Sequence, residues 1–289
     1  VEKIAVIGAG VMGIDVALTL AGNGYSVILK EREDYEIEGI FSALKSNLRK
    51  YKLLSGEVAE WKTEMVIANI KVTKTYEKFN EVSWVIDNTT EDFTVKQSLY
   101  QELQNKCGEN TCYAVNTSCI SITRLAALLT QPEKMIGMHF MNPVPLKKTT
   151  ELVKGFHTSG DTIYAAERLL KKIKNRGILV NDYPGFVSNR LSHLFMNEAA
   201  YLIQDQVADA EKVDAIFKFG YGHKMGPLET ADLIGLDTVV RSLNILYQSY
   251  QDPKYRCCPL LTRMVDAGLL GCKSGKGFYD YTGRKGLIF

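Results

Sequence analysis

No CxxC pair and no regular spacing links the six cysteines, Cys107, Cys112, Cys119, Cys257, Cys258 and Cys272. That excludes the disulfide framework of a small secreted domain, and scattered thiols of this kind suit a reducing compartment. Long apolar runs are lacking too: none approaches the ~20 residues that a membrane-spanning helix needs. Charge of one sign is also missing. A formal net charge of +2 over 289 residues is too small to call for a nucleic acid or a membrane surface as partner. The chain enters a strand-like run at once, without a basic region, an apolar core and a cleavage site in that order, so the expected location is cytoplasmic. Internal repeats and low-complexity linkers are absent as well. What is present is ordinary for a globular protein, with 46% hydrophobic and 24% charged residues. Such a chain can bury a core without disulfide or metal, and no metal site is expected. Its length suits one large domain or two moderate ones.

Residues 3–8, Lys-Ile-Ala-Val-Ile-Gly, form a short apolar run ending in glycine, as expected of a strand buried on both faces. From 11 to 23 the pattern turns helical, with Ile14, Leu18 and Ala21 near one face. A second strand follows at 25–30, so strand, glycine turn, helix and strand make one βαβ unit. Strand-like runs recur at 70–75, 84–88, 113–116, 135–140 and 178–181, most of them separated by helix-length segments such as 41–54 and 95–106. This alternation predicts an α/β fold with a Rossmann-type, doubly wound, mostly parallel sheet. After 182–186, Asp-Tyr-Pro-Gly-Phe, the character changes. Residues 188–204, 210–219, 230–250 and 259–267 all read as helices, broken at 220–226 and at Asp252-Pro253. The expected domains are therefore 1–182, the dinucleotide-binding half, and 183–289, a smaller all-helical half.

Gly8-Ala-Gly10-Val11-Met12-Gly13 matches G-x-G-x-x-G between a strand and a helix, the context the motif requires. Gly8 makes the tight turn, Gly10 lets the backbone approach a pyrophosphate and Gly13 allows close helix packing. The helix start offers free N–H groups and a positive dipole end to phosphates. Glu31 closes the second strand, where a carboxylate accepts hydrogen bonds from the adenosine ribose and repels a 2′-phosphate, which favours NAD over NADP. Lys30 and Arg32 flank it and pull the other way. The bland readings are an ordinary turn and a solvated charge cluster.

The run Met135-Ile-Gly-Met-His139-Phe-Met-Asn142-Pro143-Val-Pro145 leads an apolar strand into a histidine and then a rigid turn. A lone strand-end histidine is more often structural than catalytic. Here it lies where open α/β sheets bind their ligands, and Glu151 follows closely enough to return beside it after the proline turn. His139 can take a proton from an alcohol while a hydride leaves for a nicotinamide, and Glu151 can hold the imidazole tautomer and stabilise the imidazolium. Asn116-Thr-Ser118 ends another strand and can present a hydroxyl, with Asn116 grouped among the cofactor-binding residues. Asn189, after the Pro184-Gly185 turn, can contact substrate from the second half. Each alone serves equally well as a turn or capping residue.

Taken together these residues resemble the 3-hydroxyacyl-CoA dehydrogenase family over nearly the whole chain. The resemblance rests on GAGVMG at 8–13, NTS at 116–118, GMHFMNPVP at 137–145, DYPGFVSNR at 182–190, GHKMGPLETADLIGLDT at 222–238 and GCKSGKGFYDY at 271–281. It implies NAD-dependent oxidation, or the reverse reduction, of the 3-hydroxyl of an acyl thioester. It also implies a His139–Glu151 pair, with Ser118 and Asn189 at the reacting hydroxyl and thioester carbonyl. Glu31, Glu91 and Lys96 would surround NAD, and the helical halves would pair into a homodimer. Two segments depart from the family pattern. Asp87-Asn88-Thr89-Thr90, before Glu91, replaces an acidic-apolar run of the type Glu-Ala-hydrophobic-hydrophobic, and Lys147-Lys148-Thr149-Thr150 replaces a Met-Lys-Leu-Val type. An apolar wall suits a hydrocarbon tail at about 0.8 kcal/mol per buried methylene. The polar replacements therefore raise an alternative substrate, a small polar acyl group on an acyl carrier protein in secondary metabolism. Solvent-facing side chains would explain them equally well. Two further alternatives are a β-hydroxyacid dehydrogenase of the 6-phosphogluconate type, which generally uses a lysine, and a non-catalytic NAD(H)-binding structural protein.

Overall fold

The computed structural model describes residues 1–32 and 34–283. The chain divides into two compact units, Val1–Tyr183 and Pro184–Phe289.

The first unit opens with β1 (Lys3–Ile7), α1 (Val11–Gly22) and β2 (Ser26–Lys30). A helical excursion follows, α2 (Ile37–Leu54), α3 (Gly56–Ala59) and α4 (Thr63–Ala68), before β3 (Ile70–Thr73) returns to the sheet. Next come β4 (Trp84–Asp87), α5 (Phe93–Leu103), β5 (Cys112–Val115), α6 (Ile122–Ala126) and β6 (Met135–Phe140). β7 (Thr149–Lys154), α7 (Gly160–Lys172) and β8 (Arg176–Asn181) complete the unit. The sheet order is β3-β2-β1-β4-β5-β6-β7-β8. Its first six strands are parallel and follow the doubly wound order, so the Rossmann-type expectation holds.

The central strands are buried on both faces, which is why they read as unbroken apolar runs. Ile4 and Val6 join a cluster with Leu18, Leu20, Leu44 and Leu48 of α1 and α2. Ala5 and Val85 stand outside that cluster and are buried as well, as are Tyr100 and Leu103 of α5 and Ile122 and Leu125 of α6. One strand, β7, falls outside the expected set. The connection 141–148 is too short for a crossover helix, so β7 runs antiparallel to β6. β8 then pairs parallel with β7, and α7 supplies the crossover.

The second unit is helical: α8 (Ser188–Gln204), α9 (Ala210–Ala215), α10 (Pro227–Ile234), α11 (Leu236–Tyr250) and α12 (Pro259–Asp266). Met196, Ala200, Ala231, Leu236, Val239, Leu243 and Leu261 form its core. The expected single helix over 230–250 is two helices. Gly235 has φ +100°, a backbone conformation that an α-helix cannot contain, and it separates α10 from α11. Residues 210–219 also differ from expectation, since α9 passes into one π-helical turn, Ile216–Gly220. Two buried carboxylates hold this unit. Asp214 accepts from the Leu228 and Glu229 amides at the start of α10, and Asp232 accepts from the Phe278 and Tyr279 amides. Among the described residues, no helix is long and apolar enough to cross a membrane. No cluster of three or more His, Cys, Asp and Glu among them is placed to hold a metal.

Candidate active site

The glycine turn is built by close contacts that leave no room for side chains. Gly8 has φ +91°, and a Cβ there would lie 2.7 Å from the Asn88 carbonyl oxygen. A Cβ on Gly13 would lie 1.7 Å from the Gly8 carbonyl oxygen, so α1 rests directly on the turn. Gly10, by contrast, faces open space, with nothing within 4 Å of its Cβ position. Val11 starts α1 with its side chain largely exposed, and Met12 packs against the core. Beside the turn lies a cleft of about 760 Å³, lined by Gly8, Gly10, Glu31, Arg32, Asn88 and Thr89 among others.

Glu31 is nearly buried at the end of β2. One carboxylate oxygen accepts from the Ala9 amide, and the other from the Arg32 amide at 2.8 Å. An ionised carboxylate has about four acceptor sites, so capacity remains for a ribose hydroxyl. Open space over Gly10, the free N–H groups of a long helix and this carboxylate together fit a dinucleotide.

The polar loop after β4 has a structural use. Asp87 is fully buried and accepts from Lys96 Nζ at 2.9 Å, from Tyr100 Oη at 3.2 Å, and from the Thr89 amide and hydroxyl at 2.8 and 2.6 Å. Lys96 is likewise fully buried, so its ammonium is not brought to the cleft. Neighbouring Val95, Ser98 and Leu99 line the cleft instead. Glu91 turns toward the loop after β5. Its Oε1 accepts from the Thr117 hydroxyl at 2.6 Å and from the Ser118 and Cys119 amides at 3.0 and 2.8 Å. Asn116 joins three strand ends, donating to Asn88 Oδ1 at 2.7 Å and accepting from the Phe140 amide at 3.2 Å.

The second departure, 147–150, is also occupied by local contacts. Lys148 donates to Glu57 at 2.6 Å, and this bond chiefly holds the Glu57 carboxyl below its ordinary range. Thr150 is buried, while Lys147 is exposed and its carbonyl accepts from Asn175 at 3.2 Å.

His139 and Glu151 are direct partners in the antiparallel β6–β7 register. Residues opposite each other across two strands put their side chains on the same face, within contact distance. His139 Nδ1 lies 2.8 Å from Glu151 Oε2, with both residues nearly buried. Nε2 faces the Ser118 hydroxyl at 3.3 Å. A carboxylate at Nδ1 holds the ring proton on that nitrogen, which makes Nε2, on the Ser118 side, the nitrogen that can accept a proton. Three of the four expected catalytic residues therefore meet in the first unit. Asn189 stands in the first turn of α8 in the second unit, where its main-chain carbonyl accepts from the His193 ring at 2.9 Å.

Sequence reasoning missed Asp15, a fully buried carboxylate on α1, and Tyr51, which donates to both of its oxygens at 2.9 and 2.8 Å. The available signal was a lone acid within the apolar run Ile14-Asp15-Val16-Ala17-Leu18.

A glycine-turn cleft at the strand switch and a His–Glu pair on β6 and β7 define a Rossmann-type, NAD-linked oxidoreductase. Residues 3–183 match the model of the 3-hydroxyacyl-CoA dehydrogenase NAD binding domain, and residues 185–281 match that of the 3-hydroxyacyl-CoA dehydrogenase C-terminal domain. The chain belongs to the 3-hydroxyacyl-CoA dehydrogenase family, and its cofactor is NAD. It is 40% identical over 281 residues to a probable 3-hydroxybutyryl-CoA dehydrogenase of Bacillus subtilis strain 168, covering 97% of this chain and 98% of that protein. To the 3-hydroxybutyryl-CoA dehydrogenase of Clostridioides difficile it is 39% identical over 279 residues, 96% of this chain and 99% of the other. The crystal structure of (S)-3-hydroxybutyryl-CoA dehydrogenase from Ralstonia eutropha superposes with a TM-score of 0.90 at 36% identity, covering 98% and 99% of the two chains.

Proposed function

We propose that this chain interconverts a short 3-hydroxyacyl-CoA, 3-hydroxybutyryl-CoA in the first instance, and the corresponding 3-oxoacyl-CoA. The observation that carries the reading is the His139 ring, held by Glu151 at Nδ1 with Nε2 turned toward Ser118. In the oxidative direction Nε2 takes the proton of the C3 hydroxyl, acting as general base. Glu151 stabilises the imidazolium that forms and keeps the ring from turning. Ser118 orients the same hydroxyl, while Glu91 fixes the Ser118 backbone. Asn189 is the further substrate-contacting residue of this reading. NAD, when bound, supplies the hydride acceptor; Gly10, the start of α1 and Glu31 hold it. In the reductive direction the proton returns from His139 to the nascent alkoxide.

CoA is favoured over an acyl carrier protein as the thiol. The Bacillus subtilis, Clostridioides difficile and Ralstonia eutropha relatives, each matched over nearly its whole length, are named for a CoA ester. Of the polar residues that raised the carrier alternative, Asp87, Asn88 and Lys148 are engaged in local contacts with Tyr100, Asn116 and Glu57. In the proposed division of labour 1–182 holds the cofactor, while 183–289 carries substrate contacts and pairs with a second copy. Exposed Ile216, Phe219 and Tyr221 on and beside the π-helical turn supply apolar surface for that pairing. The deciding experiment follows NADH absorbance with acetoacetyl-CoA and with acetoacetyl attached to a carrier protein. Rapid turnover of the CoA ester is expected. NADH binding without turnover of either thioester would favour a structural role, and preference for the carrier would reinstate that alternative.

A further inference from the structure

Asp15 is a charged group in an unexpected place. It lies on α1 just past the glycine turn, with zero exposure, among Ile14, Val16 and Leu18. An unpaired carboxylate is costly to bury, and an aliphatic side chain would pack α1 against α2 without that cost. Its side-chain hydrogen bonds reach a second helix. Tyr51 Oη donates to Oδ1 at 2.9 Å and to Oδ2 at 2.8 Å, and Asn47 Nδ2 donates to Oδ1 at 3.3 Å, both from α2. The turn that reverses the chain between β6 and β7 lies close by, and its Val144 backbone is among the groups that draw the Asp15 carboxyl down. α1 and α2 both pack on that turn, Val144–Leu146, and Val144 is buried there. The reversal joins His139 at one end to Glu151 at the other. A single carboxylate thus locks the helix that begins the cofactor site to α2, and both pack on the loop that sets the His–Glu pair.

We propose that Asp15 is a positioning residue for hydride transfer: its hydrogen bonds to Tyr51 and Asn47 lock the glycine-turn helix to α2, and the two helices, packed together on the β6–β7 reversal, fix where His139 stands relative to the bound dinucleotide. This inference rests on the dehydrogenase reading above. Burial pushes the Asp15 carboxyl above its ordinary range. The Tyr51 bond, the Val144 backbone, the Asn47 bond and the field of Lys50 oppose that rise. Asp15 touches no reacting atom, so its contribution is geometric. Misplacing a catalytic group by about 1 Å can cost about a hundredfold in rate.

The test uses the full chain carrying Asp15→Ala, Asp15→Asn or Tyr51→Phe. NADH affinity is read by fluorescence, kcat and KM with acetoacetyl-CoA by absorbance, and Tm by thermal melting. Asp15→Ala is expected to lose about ten- to a hundredfold in kcat while NADH affinity shifts by about threefold or less. Asp15→Asn should recover most of the rate, because its amide oxygen still accepts from the Tyr51 hydroxyl or the Asn47 amide and its nitrogen can donate to the Tyr51 oxygen. A lower Tm with wild-type kcat per NADH-binding site in Asp15→Ala would overturn the proposal, since a merely structural role predicts that pattern. An Asn variant as slow as the Ala variant would also overturn it. If Asp15→Ala does not fold, Tyr51→Phe decides: a reduced kcat with unchanged NADH affinity supports positioning, and an unchanged kcat contradicts it. Wild-type protein that turns over no thioester defeats the dehydrogenase reading and this inference with it. Active wild type with unaffected variants defeats this inference alone.

Discussion

At the scale of single residues, the site works by committing acceptors. Glu31 uses its carboxylate twice on the backbone of the turn it serves, at Ala9 and Arg32. On the proposed reading, replacing it with alanine removes a ribose acceptor, and it leaves those two amides to find other partners. It also lifts a negative charge from beside Lys30 and Arg32. Glu31→Ala is therefore expected to weaken NADH binding by about tenfold, the scale of one charge-assisted hydrogen bond. The NADH to NADPH affinity ratio should fall as well. Fluorescence titration with both nucleotides measures this, and an unchanged ratio would contradict the role given to Glu31. Asp15 allows a prediction about stability. Its folded-state pKa is raised above the unfolded value of about 3.9. The wild type thus keeps its full stability below that value, and loses some as pH rises through the folded pKa, because the unfolded chain ionises first. Asp15→Asn has no such loss. Its Tm relative to wild type should rise from pH 4 to pH 7, and a flat or falling difference in thermal melts would show the sign to be wrong.

At the scale of elements, legibility followed local pattern. The buried strands β1, β2, β4 and β6 announce themselves as short apolar runs, and the glycine turn as three glycines at fixed spacing. β7 does not, because Lys147-Lys148-Thr149-Thr150-Glu151 reads as polar and the strand is defined by its pairing with β6. The break at Gly235 was hidden by helical periodicity on both sides, although a glycine there was visible. The His139–Glu151 partnership was legible from spacing and a proline turn. The grips of Glu91 on 117–119 and of Asp87 on Lys96 were not, since they form between strand ends brought together only by the fold. Gly137 tests how tightly β6 is held. A Cβ there would lie 2.7 Å from Val153 Cβ on β7 and 2.9 Å from Ile122 Cδ1 on α6. Gly137→Ala is expected to cost about 1–3 kcal/mol through overpacking, read as a lowered Tm. An unchanged Tm would mean the β6–β7 pair yields more readily than its contacts suggest.

At the scale of the whole molecule, the two family matches span 3–183 and 185–281, and the chain splits between Tyr183 and Pro184. On the proposed reading the helical unit pairs two copies of a 32.3 kDa chain. Sedimentation velocity at micromolar concentration should show a species of twice that mass. Phe219→Glu, introducing a charge at a largely exposed aromatic, should shift it toward the single chain. A single-chain mass for the wild type would remove the pairing.

The central claim is that one histidine moves the proton. Its most direct test is the single-turnover rate of NADH oxidation by acetoacetyl-CoA in His139→Gln, with NADH affinity measured on the same protein. The account predicts wild-type affinity and a rate lower by about 10²- to 10⁴-fold, the range for loss of a general acid–base group. A variant that binds NADH and transfers hydride at the wild-type rate would contradict it.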